Sequence, residues 1–118
     1  MGTFTYPLEI TDLDERFSSE IEALVDTGAS YTVLPGRFLR ELGVETIGTR
    51  RLLLADGSRV DMDYGRAWAT IDGEREVTIV FFGRDDGPAL LGAYTLEGLA
   101  LAVDPGEQRL VPAAMIMY

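Results

Sequence analysis

The chain has 118 residues, 47% of them hydrophobic and 25% charged, and a formal net charge of −10, which fits one folded domain over residues 1–118. It contains no Cys, His or Lys, so Ser-His-Asp and Cys-His catalysis, thiolate or imidazole metal sites and Schiff-base chemistry are excluded; carboxylates, hydroxyls, Arg and backbone groups remain. The acidic balance opposes nucleic-acid binding, and no apolar run nears the ~20 residues that span a bilayer, so we expect a cytoplasmic protein with neither nucleic-acid nor membrane partners.

Phe4, Tyr6, Leu8 and Ile10 alternate with polar residues and predict a first strand. A turn at Asp12-Leu13-Asp14-Glu15 leads into a second strand, Glu20 to Val25, which completes a hairpin. That apolar strand ends in an acid, and the acid opens a turn of small residues: Asp26-Thr27-Gly28-Ala29-Ser30, followed by the apolar run Tyr31 to Pro35. An ordinary Asx-type turn would give the same first three residues, but not the longer pattern with its apolar flanks.

Gly36–Leu42 follows Pro35 and stops at Gly43, which predicts a short helix. Asp56-Gly57 stands between Leu52–Ala55 and Ser58–Tyr64 and predicts a two-residue hairpin turn. Val60, Met62 and Tyr64 then share one face and Asp61 and Asp63 the other, a solvated strand face rather than a calcium loop. Arg66–Ile71 and Arg75–Phe82 form a further hairpin about Asp72-Gly73, with Trp68 and Val77–Phe82 assigned to the core. Thr95 is expected to cap a helical turn, Thr95–Leu99, that carries Glu97 in its first turn. The chain closes on a Asp104-Pro105-Gly106 turn and an apolar end, Met115 to Tyr118.

Asp26-Thr27-Gly28-Ala29-Ser30 resembles the active-site signature of aspartic proteases. A short chain with one copy resembles their retroviral-type, retropepsin-like branch, including its bacterial and archaeal members. Ala89-Leu90-Leu91-Gly92 before the second helix is similar to that family's apolar-apolar-Gly element. The resemblance implies an all-β acid protease fold, closed and barrel-like, with one or two short helices and a flap hairpin. It implies an aspartic endopeptidase working as a homodimer on polypeptide substrate, with Asp26 catalytic, Thr27, Gly28, Ala29 and Ser30 forming the active-site loop, and no metal or cofactor. Ala55, Asp56, Gly57 and Ser58 would be the substrate-covering tip of the flap, Thr27 would hold the partner's loop, and the apolar C-terminus would interleave at the dimer interface.

The chemistry of the residues leads the same way. Hydrolysis by carboxylates needs one ionised acid to take a proton from water and one neutral acid to give a proton to the carbonyl oxygen. Two carboxyls about 3 Å apart repel by about 5–6 kcal/mol at an effective dielectric of ~20, so one proton stays bound and the roles divide. Only one acid has the signature context, so a second copy must bring the other. Ser30 and Ala93 depart from the viral pattern, which commonly has an acid and an Arg there that strengthen the dimer. A protease-like dimeric module that binds peptides with weak or no turnover therefore remains an alternative, as does a structural β domain carrying a chance motif.

Overall fold

A computed structural model describes residues 3–114. Among these residues, nine strands and two short helices follow in the order β1 (Thr5–Thr11), β2 (Ser18–Val25), β3 (Thr32–Pro35), α1 (Gly36–Glu41), β4 (Gly48–Leu53), β5 (Arg59–Ile71), β6 (Glu74–Gly83), β7 (Leu90–Leu91), α2 (Ala93–Gly98), β8 (Leu101–Asp104) and β9 (Arg109–Pro112). Seven strands make one sheet, ordered β1-β2-β7-β3-β6-β5-β4. A further antiparallel pairing of β1 with β5, Glu9 to Thr70 through Thr11 to Trp68, closes six of them into a barrel-like ring. β4 lies outside the ring as the second arm of a projecting hairpin, and β8–β9 form a separate two-stranded sheet.

The interior follows from strand parity. Leu8 and Ile10 from β1, Ala23 and Val25 from β2, and Leu91 from β7 point inward and are buried, while the intervening Pro7, Glu9 and Glu22 are exposed. In β5 the inward positions are Gly65, Ala67, Ala69 and Ile71, three of the four being Gly or Ala, because the strand lies against the chain on its inner side. A Cβ at Gly65 would run into the carbonyl oxygen of Glu45. The glycine thus lets β5 continue as one 13-residue strand where the sequence suggests two, Ser58–Tyr64 and Arg66–Ile71.

Trp68 is not in the core. Its parity sets it on the outer face, half-buried beneath the Arg75 guanidinium at 3.9 Å from the ring centroid. Thr78 to Phe82 of β6 are buried, as expected for a central strand. Thr95 is not a helix cap either. α2 begins at Ala93 with Gly92 as its N-cap residue, and Thr95 sits inside the helix with its hydroxyl turned toward β3 and β6. Glu97 accordingly falls in the last turn.

The two Asp-Gly turns differ. At Asp72-Gly73 both residues have positive φ, 51° and 84°, and Ile71 pairs directly with Glu74: a two-residue turn of the primed type. At the other, Gly57 N–H donates to Leu54 O (3.0 Å) and Leu54 N–H to Ser58 O (2.8 Å), with positive φ at Gly57 alone. That is a three-residue loop with a bulge, not the two-residue turn expected. The terminal segment Met115–Tyr118, expected at an interface, lies outside the described residues.

Candidate active site

β2 and β3 are not paired with each other; β7 lies between them, parallel to β2 and antiparallel to β3. The chain leaving β2 must therefore cross the end of β7 in a short loop, and residues 26–31 are that loop. Asp26 N–H donates to Leu91 O (3.0 Å), which anchors its entry to β7. Gly28 N–H donates to Asp26 Oδ1 (3.0 Å) and Ala29 N–H to Asp26 O (3.1 Å), so the acid's own side chain and carbonyl close the turn around it. A Cβ on Gly28 would lie 3.2 Å from that carboxylate oxygen, so a side chain there would press on the acid.

The loop is fastened from behind by the start of α2. Ala93 N–H donates to Ala29 O (2.8 Å) and Tyr94 N–H to Ser30 O (2.9 Å). Gly92 permits this approach, since a Cβ there would collide with the backbone carbonyl of Tyr31. The Leu90-Leu91-Gly92 element thus supplies an anchor on each side of the loop.

In front of the loop is a cleft of about 550 Å³. Its floor and walls are Asp26, Gly28, Ala29, Ser30, Tyr31, Val33 and Leu90, and the β4 arm covers it with Arg51, Leu52, Leu53, Leu54 and Ala55. Asp26 is half-buried and is the one acid lining this cleft. Of the residues predicted from sequence, Asp26, Gly28, Ala29, Ser30 and Ala55 meet here. Thr27 is exposed and does not line the cleft, and Asp56, Gly57 and Ser58 form the hairpin tip beyond it. The tip is held by its own acid: Asp56 Oδ1 accepts from Ser58 Oγ and from Ser58 N–H (2.8 Å), and these bonds keep the Asp56 carboxyl below its ordinary value of 3.8.

Sequence reasoning did not assign Tyr31, Val33, Leu90 or Arg51 to the cleft, and it placed Leu52–Leu54 in the covering hairpin without singling them out as lining residues. The signal for the last group is three consecutive leucines beside a turn, where a half-buried strand should alternate; Leu53 and Leu54 are in fact exposed, 67% and 43%. Tyr31 packs between Tyr94 and Phe81 at centroid distances of 5.6 and 5.2 Å, and Phe81 packs on Tyr64 at 5.5 Å. This line of rings runs from the loop to the base of the β4–β5 hairpin, where the Arg50 guanidinium lies 4.4 Å from the Tyr64 ring centroid.

The aspartyl protease family model matches residues 9–95. This chain belongs to the aspartyl protease family. Its fold is that of retropepsin-like proteases. EIAV protease, solved in complex with the inhibitor HBY-793, aligns at a TM-score of 0.63 with 18% identity over 98% of this chain and 94% of that one. A retropepsin-like aspartic protease from Rickettsia conorii aligns at 0.54 with 21% identity over 88% and 89%. Simian foamy virus protease aligns at 0.55 with 19% identity over 79% and 91%. No curated protein matches the sequence of this aspartyl protease. Among its described residues, no helix is long and apolar enough to cross a membrane.

Proposed function

We propose that this aspartyl protease chain, as one domain, contributes half of an active site and hydrolyses peptide bonds as a homodimer, with Asp26 facing Asp26 of the partner subunit across a two-fold axis. One carboxylate of the pair would take a proton from water while the other, neutral, protonates the scissile carbonyl, with no covalent intermediate. Thr27, exposed beside Asp26, would hold the two loops in register. An extended polypeptide would lie between the loop and the β4–β5 hairpin, its backbone added as a strand and its side chains against Tyr31, Val33, Leu52 and Leu90. The observation that carries this reading is that the cleft contains a single acid, Asp26, with an otherwise largely apolar lining.

Asp26→Asn tests it. The expected result is loss of cleavage of an unfolded polypeptide by about 1,000-fold or more, with the dimer still seen by analytical ultracentrifugation. Wild-type specific activity should also fall on dilution below the dimer dissociation constant, since each chain holds one acid. A wild-type dimer that binds peptide without turnover would instead identify a peptide-binding module.

A further inference from the structure

Three threonines are buried together directly behind the active-site loop. Thr32, at the start of β3, is fully buried, as nearly are Thr95 of α2 and Thr78 of β6. Thr95 Oγ1 lies 2.6 Å from Thr32 Oγ1 and 2.8 Å from Thr78 Oγ1, and Thr32 Oγ1 also accepts from Gly92 N–H at 3.2 Å. Thr95 is the middle of the three and the only one that bonds both others. Buried helix positions ordinarily carry aliphatic side chains, and a hydroxyl placed there must find a partner. Here the hydroxyls find one another.

The helix that carries Thr95 has six residues, too few to hold its shape or its pose unaided. Leu96 buries its side chain in the core, but an apolar contact is non-directional and does not by itself specify the helix's orientation. The bonds from Thr95 are directional and fix it to two strands. What depends on that pose is the loop, because Ala93 N–H and Tyr94 N–H, two residues and one residue before Thr95, reach Ala29 O and Ser30 O.

We propose that Thr95 is a positioning residue: its hydroxyl sets the pose of α2, and α2 in turn sets the Ala29–Ser30 backbone and the direction of the Asp26 carboxyl. The inference rests on Asp26 being the catalytic acid. It assigns to a side chain that touches neither substrate nor Asp26 a share of the reaction rate, because small displacements of a reacting group cost rate more than binding.

Thr95→Val keeps the shape and removes the hydroxyl, and Thr95→Ser keeps the hydroxyl. In Thr95→Val, hydrogen exchange at the Ala93 and Tyr94 amides should quicken by about tenfold relative to amides of the β1–β2 ladder, which lies away from the network. Against an unfolded polypeptide, kcat should fall about tenfold with KM changed by less than about twofold, and Thr95→Ser should restore both exchange and kcat. Thr78→Val cuts only the outer link, so its effect should be smaller and in the same direction; it serves if Thr95→Val does not fold. Uniform quickening at all amides, or an unchanged kcat in Thr95→Val, would reduce Thr95 to a packing residue and overturn the proposal. A wild-type protein without peptidase activity would remove the catalytic reading alone, and the exchange comparison would still decide whether Thr95 holds the loop.

Discussion

At the scale of single residues, Ala29 is the informative difference within the signature. It lines the cleft beside Asp26 and has no donor to offer the carboxylate. A hydroxyl at this position would favour the ionised form, because a hydrogen bond to a carboxylate stabilises its charge. Without it the proposed pair lacks that stabilisation, and we expect peptidase activity to be greatest in mildly acid solution. Ala29→Ser should move the whole pH–rate profile to lower pH; a profile that stays in place or rises would contradict the assignment of the pair. Asp12 is a second acid whose surroundings decide its behaviour, in this case for stability. Its side chain is buried and accepts from Phe17 N–H at 2.8 Å, from Arg16 N–H at 2.7 Å and from Arg16 Nε at 3.2 Å. The Phe17 amide foremost, with Arg16, holds its carboxyl below the ordinary value of 3.8. A lowered value means that the folded state favours the charged form, so the stabilisation is complete above pH 3.8 and fades as pH falls through the depressed value. Asp12→Asn should therefore lower Tm at neutral pH, and the gap from wild type should close in strong acid. A gap that is constant over that range would mean the charge contributes nothing.

Among the elements, the β4–β5 hairpin is the one whose conformation the proposed reaction uses. Gly57 at its tip has φ +86°, and an added Cβ would have nothing within 4 Å. Gly57→Ala therefore introduces backbone strain and no clash, a cost of about 1–2 kcal/mol. Because the tip projects from the ring, the change should lower kcat/KM by up to about tenfold while circular dichroism of the folded state stays the same. Gly57→Ala with unaltered kcat/KM would show that the tip does not close on substrate. This hairpin also marks how far the sequence could be read. Asp-Gly located both turns, since few other dipeptides accept positive φ, but whether one or both residues adopt it depends on how the flanking strands pair, which only the closed sheet decides. Alternation places Leu8 and Ile10 inside, and it would also have set Trp68 outside next to Ala67 and Ala69; the core assignment of Trp68 follows its bulk instead of its parity. β7 has two residues, too short for any period, and its position between β2 and β3 comes from tertiary pairing alone. A threonine ahead of a helical segment usually bonds along the chain as a cap, whereas Thr95 bonds across it to β3 and β6. The acid loop was legible because tight turn, small residues and apolar flanks are all local requirements. The cleft was less so, since its roof comes from residues more than twenty positions away.

For the whole molecule, charge opposes the association that the proposed function requires. Each chain carries −10, and two of them must meet closely enough to bring two further carboxyls together. Arginines do little to offset this at a distance: seven of the ten, Arg16, Arg37, Arg40, Arg51, Arg75, Arg84 and Arg109, are in ion pairs with acids of the same chain. These pairs are mostly exposed and add little to stability individually, but they leave a surface dominated by unpaired carboxylates. Repulsion between two such surfaces is long-range and screened by salt, with a Debye length of about 14 Å at 0.05 M falling to about 4 Å at 0.5 M. An interface held together by apolar contacts would not be weakened over that range, and the net effect of salt should be tighter dimerisation. We expect the chain concentration at half-maximal specific activity to fall by about tenfold between 0.05 and 0.5 M NaCl, with sedimentation showing the same shift from monomer to dimer. Ala93 sharpens the expectation, because no side-chain guanidinium at that position can offer an acid of the partner an ion pair that salt would weaken. Dissociation of the dimer by salt would mean that opposite charges face each other across the interface and would overturn the expectation.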